Sequence, residues 1–347
     1  MNRRHSIPVF YEGQDDLVDI LAVSICSVCY NTEEFIEFYI LDCGISEISK
    51  RLLLELNRKF SNFSIEFIPV DLSPFNGLKG WPIGSSFLDC YSRLLIPELK
   101  KNIDRAIYLD SDVIALNDIK TLWEENLEGY ELGACPDLGY NSFFWKNCVN
   151  NLHVHKDHVY ANAGVLLLDC AKMRQNKSTA HFISIAKQFN EHIQVIIEDI
   201  FSIYYNGNNY KILPSRYNIP DRSNEINSIV DAGITDDYIR NEWKNVVFQH
   251  LSPGKAWKFL RNGYNGRDLK FYNIFWFYAA MTPFYAGMAN KFLYNTATIH
   301  TGIFTPLKRQ FKLFNLIPIM KKIRKGNTLY YKLFNFIPIL KIKESHQ

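Results

Sequence analysis

Acid is almost missing from the end of this chain. Residues 301–347 hold one acidic side chain, Glu344, against ten Lys or Arg. That puts +9 in the tail of a chain whose total is +3, so residues 1–300 carry −6 and the basic character does not belong to the body. Cysteine is absent past Cys170. The seven cysteines before it (Cys26, Cys29, Cys43, Cys90, Cys135, Cys148 and Cys170) are odd in number and widely scattered, which argues against a disulfide framework and fits a reducing compartment. Cys26 and Cys29 form a C-x-x-C inside an apolar helical run with no second pair, so they read as buried thiols rather than a zinc or redox site. No G-x-G-x-x-G follows the first strand pattern, and a dinucleotide cofactor is therefore not indicated. Behind the basic Asn2-Arg3-Arg4 only Ile7 to Tyr11 precede acidic residues, too short a run for a signal peptide. The long charge-free stretch 271–290 contains Asn273, three tyrosines, Thr282, Pro283 and Gly287. It reads as a packed aromatic helix broken near Pro283 rather than a membrane span.

What is present is a large apolar reserve: 47% hydrophobic and 15% aromatic residues over 347 positions suffice for one large α/β domain with an appendage. Apolar runs of strand and helix type alternate from the start. Strands are expected at 7–11, 35–41, 64–70, 105–109, 131–135, 161–168 and 246–249. Helices are expected at 17–30, 46–60 (with Ser46 as N-cap), 88–99, 179–189 and 199–205. Such alternation predicts a mostly parallel sheet with crossover helices. The body is expected to occupy 1–295 and a separate tail 296–347. The tail contains an internal repeat: Phe311-Lys-Leu-Phe-Asn-Leu-Ile-Pro-Ile-Met320 recurs twenty residues later as Tyr331-Lys-Leu-Phe-Asn-Phe-Ile-Pro-Ile-Leu340. Basic, aromatic and amphipathic, residues 305–343 suit an anionic membrane surface, with packing on the body or on a partner as the alternative. No stacking platform accompanies the charge, so nucleic acid is not an expected partner.

The chemistry concentrates in Ile107-Tyr-Leu-Asp-Ser-Asp-Val113. A buried strand running into two carboxylates one residue apart delivers both to its C-terminal tip, the crevice where open α/β sheets bind ligands. Two hard anionic ligands suit Mn²⁺ or Mg²⁺, and such a cation neutralises a diphosphate leaving group. An isolated Asp-x-Asp can equally be a solvated turn. His153, His155 and His158 lie in a polar loop and read as solvated histidines.

Several segments in order resemble bacterial sugar transferases of glycosyltransferase family 8, notably the lipooligosaccharide galactosyltransferases and lipopolysaccharide glucosyltransferases. They are Phe38-Tyr-Ile-Leu-Asp-Cys-Gly-Ile-Ser46, Tyr91-Ser-Arg-Leu94, Tyr108-Leu-Asp-Ser-Asp-Val113, Asn162-Ala-Gly-Val-Leu-Leu167, Glu198-Asp199, His250 and Gly254-Lys-Ala-Trp257. The resemblance spans about residues 7–260. It implies a GT-A fold with a single nucleotide-sugar-binding domain, a UDP-hexose donor carrying galactose or glucose, a glycan or glycolipid acceptor, Mn²⁺ and retention of anomeric configuration. It also implies a location on the cytoplasmic face of the bacterial inner membrane.

By the same resemblance Asp110, Asp112 and His250 are the metal ligands. Gln14 and Asp16 (or Asp15, if the register slips by one) contact the nucleoside. Arg93, Asp137, Asn162, Ala163, Gly254 and Lys255 contact the donor sugar and phosphates, and Glu198 and Asp199 sit at the reaction centre. Two departures stand out. The spacing from His250 to Lys255 is one residue short, with Ala256 in place of a proline. Glu198 occupies a position where the family usually has glutamine. A carboxylate there could attack the anomeric carbon directly. In the competing front-face route the departing UDP takes the acceptor proton and Glu198 only stabilises oxocarbenium charge; a family that works with an amide here favours that route. Asp199 is expected to contact sugar or cap a helix. Outside this resemblance, two readings compete: a sugar-nucleotide nucleotidyltransferase, against which the acidic loop Glu12-Gly-Gln-Asp-Asp16 argues, and a non-catalytic glycan- or membrane-binding protein on a decayed scaffold.

Overall fold

Strict two-residue alternation along the central strands divides the core. Val9, Tyr11, Ile107, Leu109, Val165 and Leu167 bury themselves on one side of the sheet, and Phe10, Tyr108, Leu166 and Leu168 on the other. Both faces are therefore apolar and both are covered by helices, as mostly parallel sheets require. The computed structural model describes residues 6–80, 87–138, 142–220, 236–251, 269–299, 310–313, 317–325, 328–333 and 337–343.

The first half runs β1 (Ser6–Gly13), α1 (Val18–Tyr30), β2 (Phe35–Asp42), α2 (Glu47–Leu54), β3 (Phe63–Pro69), α3 (Ile96–Leu99), β4 (Arg105–Leu109), β5 (Val113–Ala115) and α4 (Lys120–Trp123). It continues with β6 (Leu132–Pro136), α5 (Ser142–Asn151), β7 (Ala161–Asp169), α6 (Cys170–Gln175), α7 (Ser178–Gln188), α8 (Ile196–Tyr204), β8 (Lys211–Ile212) and β9 (Ile219–Pro220). Then come α9 (Asp236–Lys244), β10 (Phe248–His250), α10 (Leu269–Ala279), α11 (Tyr285–Ile299), and the tail strands β11 (Gln310–Leu313), β12 (Ile317–Lys325), β13 (Thr328–Leu333) and β14 (Ile337–Lys343).

The seven-stranded sheet has the order β3-β2-β1-β4-β7-β6-β8. Only β7 runs against its neighbours; the pairs β3/β2, β2/β1, β1/β4 and β6/β8 are parallel. The architecture is the expected α/β fold. The expected strands recur within two residues, while α8 starts three residues before the expected 199, and α5 and α9 had not been expected. Two expected helices also differ locally. Ser46 caps α2 by accepting from the Ser49 N–H at 3.2 Å, but the α-helix ends at Leu54 and tightens to 3₁₀ through Arg58. The segment expected as helix from Leu88 is 3₁₀ over Asp89–Leu95 before α3.

A small second sheet, β5-β10-β9, lies at the strand tips. Here β10 runs antiparallel to β5, with His250 opposite Val113 and Gln249 opposite Ile114. Beyond it, the apolar stretch around Pro283 breaks as expected into α10 and α11, and buried Phe275, Tyr278 and Ala279 pack α10 on the body. Among the described residues no helix is long and apolar enough to cross a membrane. α11 runs through position 295 to Ile299, so the expected boundary falls inside a helix. The repeat in the tail forms two antiparallel hairpins, β11/β12 and β13/β14, joined by β12/β13 into a four-stranded meander. Register shifts at matching places, where Lys312 pairs with Pro318 and Lys332 with Pro338. A proline has no N–H for the ladder and is accommodated at such an irregularity.

All seven cysteines are free thiols, and Cys26 and Cys29 are buried among apolar side chains. Burial pushes the Cys26 thiol up to about 12, which makes it unreactive at neutral pH.

Candidate functional site

Two connections bring distant side chains together at the C-terminal end of the sheet. The chain leaves β4 at Asp110, turns with the Val113 N–H donating to the Asp110 carbonyl at 3.0 Å, and enters β5. Ser111 Oγ pins this turn to the tip of β1 by donating to the Glu12 carbonyl at 3.1 Å. β10 then pairs with β5, and the Leu251 N–H donates to the Asp112 carbonyl at 2.9 Å, which carries His250 to the same spot. His250 Nε2 lies 3.2 Å from Asp112 Oδ1 and 3.8 Å from Asp110 Oδ2. Ligand atoms bound cis on one divalent ion at ~2.1 Å sit roughly 3 Å apart, so this donor set fits a hard or borderline cation. It is the one cluster of this kind among the described residues.

Asp110 is oriented from behind. Its Oδ1 accepts from Tyr108 Oη at 2.8 Å and pairs with Arg93 Nη1 at 2.9 Å, which leaves Oδ2 on the His250 side. Arg93 is fixed from several directions: Nη1 donates to the Ala163 carbonyl, Nη2 meets Glu12 Oε2 at 3.4 Å, and the guanidinium lies 4.4 Å from the centre of the Tyr108 ring. Burial opposes its charge, but Asp110, Tyr108 and Glu12 outweigh that and keep it protonated. Burial likewise lifts the Glu12 carboxyl above its usual range, only partly offset by Arg93.

These groups line a cleft of about 330 Å³. Glu12, Asp110, Asp112, Asp137 and Glu198 give it five carboxylates, and Arg93 is the one lysine or arginine among its described lining residues. An anionic ligand would be repelled from such a cleft without added positive charge, so the electrostatics too ask for a cation.

The sugar side of the cleft is built from β6, β7 and α8. β7 brings Asn162 to the rim, where its Nδ2 donates to Asp137 Oδ2 at 2.9 Å. Ala163 is buried and contributes backbone: its carbonyl accepts from Arg93, and its N–H points to Glu198 Oε1 at 3.4 Å. Glu198 sits in the first turn of α8, and burial lifts its carboxyl to about 7, with Asp137 adding to the rise and Arg93 opposing it.

The structure thus gathers Gln14, Arg93, Asp110, Asp112, Asp137, Asn162, Glu198 and His250 around one cleft, with Ala163 behind it. Gly254 and Lys255 lie outside the described residues. Two expected site residues are elsewhere. Asp16 is exposed in the turn between β1 and α1 and does not line the cleft, while Gln14 stays on the rim with its amide on Glu12. Asp15, the alternative, accepts from the Ser46 N–H at the start of α2. Of the two roles expected for Asp199, sugar contact or helix cap, the structure shows the cap, which takes it away from the reaction centre. Its Oδ2 accepts from the Gln194 and Val195 N–H groups at the entry to α8, and its Oδ1 from Tyr160 Oη at 2.7 Å. One residue along a helix turns a side chain by about 100°, so Glu198 and Asp199 cannot face the same cleft. The loop histidines also divide. His153 and His155 are exposed, but His158 is buried, accepts from the Asn208 N–H, and is held down to about 4 by burial.

Four participants were given no role from the sequence: Glu12, Tyr108, Ser111 and Asn218. The first three lie within segments that were singled out and could have been suspected from strand-tip position. Asn218 lies in an irregular stretch before β9, where no periodicity or spacing marks it.

The sequence profile described as "Glycosyl transferase family 8" matches residues 8–258. A putative glycosyltransferase of Haemophilus influenzae is 30% identical over 200 residues, covering 57% of this chain and 58% of that protein. Glycosyltransferase GlyF of Streptococcus pneumoniae is 29% identical over 204 residues, covering 57% of this chain and 45% of that protein. The chain thus spans about half the length of these relatives. Among solved structures, the galactosyltransferase LgtC in complex with donor and acceptor sugar analogs superposes with a TM-score of 0.65 at 24% identity, over 80% of this chain and 96% of that one. The α/β fold is therefore of the GT-A type.

Proposed function

The chain belongs to glycosyl transferase family 8, and we propose that it is a retaining, metal-dependent hexosyltransferase. In this reading it moves galactose or glucose from a UDP-sugar to a lipooligosaccharide, lipopolysaccharide or related surface glycan. The observation that carries the proposal is the convergence of Asp110, Asp112 and His250 within an acidic cleft at the strand tips. A cleft with this charge accepts a nucleoside diphosphate only together with a divalent cation. LgtC, similar in fold, binds donor and acceptor sugar analogs, which supports the same ligand classes here.

Asp110, Asp112 and His250 would hold the cation, Mn²⁺ by the mix of imidazole and carboxylates or Mg²⁺ in its place. When bound it supplies charge neutralisation to the diphosphate leaving group. Arg93, held by Glu12 and Asp110, adds a fixed positive charge on the phosphate side. Asp137 and Asn162 present a carboxylate and an amide to sugar hydroxyls. Glu198 lines the same cleft and lends carboxylate charge to an oxocarbenium-like transition state. We favour front-face transfer, because relatives of this family do the same chemistry with an amide at this position.

The tail, residues 305–343, is proposed to hold the enzyme on the anionic inner face of the cytoplasmic membrane, where a growing glycolipid would be met. Its sequence support is ten Lys or Arg with no acidic residue, mixed with aromatic residues. Incubating the protein with a panel of UDP-sugars and Mn²⁺ tests the assignment. UDP release from one hexose donor, lost on chelation, is expected. Absence of UDP release from every donor with glycan acceptors present would refute it, and release of pyrophosphate from a sugar phosphate and UTP would indicate a nucleotidyltransferase instead.

A further inference from the structure

His250 does not stand alone behind the candidate metal ligands. Its Nδ1 lies 3.0 Å from Asn218 Oδ1, and both side chains are almost fully buried, at 6% and 4% exposure. Asn218 Nδ2 donates to Asn162 Oδ1 at 2.7 Å, and Asn162 Nδ2 donates to Asp137 Oδ2 at 2.9 Å. Asn162 Oδ1 also accepts from the Gly164 N–H at 2.9 Å. Amide orientations are usually ambiguous, since oxygen and nitrogen look alike. Here both ends of the chain are anchored by groups with one possible role. The Gly164 N–H can only donate, so the Asn162 atom beside it is oxygen. The Asp137 carboxylate can only accept, so the Asn162 atom beside it is nitrogen. With the Asn162 oxygen facing Asn218, Asn218 must offer its NH₂ there and its oxygen to His250. The His250 Nδ1 must then carry the hydrogen, and its Nε2 keeps a lone pair directed at Asp110 and Asp112.

We propose that Asn218 is a positioning residue for the metal centre, one that sets the His250 tautomer through a hydrogen-bond chain running from Asp137. Gly164 supplies the other constraint. A Cβ at that position would sit 2.4 Å from His250 Cε1 and 2.8 Å from Nδ1, so the imidazole rests where only glycine leaves room. The ring is located by the missing side chain and oriented by the amide. Because the chain ends on Asp137, which lines the sugar side of the cleft, donor-sugar contacts and metal-ligand orientation share one set of hydrogen bonds. The inference rests on the transferase reading only for its consequence in catalysis, not for its geometry.

The test has two parts. In metal-free protein labelled with ¹⁵N-histidine, with His250→Gln used for assignment, two-bond ¹H–¹⁵N spectra recorded where the ring is neutral should show the Nδ1–H tautomer. Finding Nε2–H would overturn the proposal. Second, Mn²⁺ affinity in the presence of UDP is read from the free-ion electron paramagnetic resonance signal. Asn218→Leu should weaken it about 10- to 100-fold, the usual cost of losing such an outer partner. Native affinity in Asn218→Leu would also overturn the proposal. If that variant does not fold, the native tautomer alone decides. If the native protein binds no Mn²⁺, the transferase reading fails, whereas the tautomer still reports on Asn218.

Discussion

Glu198 is a buried carboxyl on the wall of the cleft. Burial raises its carboxyl from 4.5 to about 7. The folded protein then holds a proton that the unfolded chain has released between those values, so stability falls as pH rises through that window. In metal-free protein the urea midpoint should drop between pH 5 and pH 7.5, and Glu198→Gln should flatten that drop; an unchanged slope would mean another group is responsible. The same variant tests mechanism: front-face transfer predicts that Glu198→Gln keeps kcat within about tenfold of native, whereas loss of an obligatory nucleophile costs several orders of magnitude. Gly164→Ala should abolish UDP-dependent Mn²⁺ binding, measured by calorimetry, while circular dichroism shows the fold retained, because the added methyl meets the His250 ring at 2.4 Å. The aspartates at 110 and 112 were legible because both carboxylates sit next to an apolar strand run. For Asp199 the sequence left sugar contact and helix cap both open, because the choice depends on a turn of about 100° along the helix that adjacency in sequence hides.

Elements place these residues. The Asp110 turn and β5 are local products of the chain, but His250 arrives only through the β5/β10 pairing. Helix caps are more self-contained. Ser46 was readable as a cap from its place before an apolar pattern, and Ser46→Ala should lower stability by about 1 kcal/mol in denaturant titrations. α10 was readable as a packed helix, though not its docking face. Phe275 is fully buried against the body, so Phe275→Ala should destabilise by about 3–5 kcal/mol, a loss that differential scanning calorimetry would detect. The tail's repeat was plain in sequence, yet its pairing was not. The two ten-residue units, alike at seven of ten positions, form matching antiparallel pairs, each with a register shift where its proline enters the ladder.

For the whole molecule the relevant fact is charge separation. The acidic cleft and the basic tail belong to different parts of the chain. If the tail binds membrane, the protein should sediment with vesicles containing anionic lipid, do so less at high salt, and remain in the supernatant once residues 305–343 are removed. Equal sedimentation of the truncated chain would place the attachment elsewhere.

The amino-acid sequence by itself determined the alternating elements, the mostly parallel sheet and the two carboxylates at a strand tip. Each follows from periodicity or from neighbours within a few residues. Tertiary structure alone decided how His250 is brought to them, that Asp16 lies outside the cleft, that Asp199 takes the helix cap and not the sugar, and that Asn218 stands behind the imidazole. Those outcomes depend on strand pairings and helix rotations between segments far apart in the chain. Such contacts have no local pattern, because the groups that meet are chosen by how the packed layers register and not by what precedes or follows them.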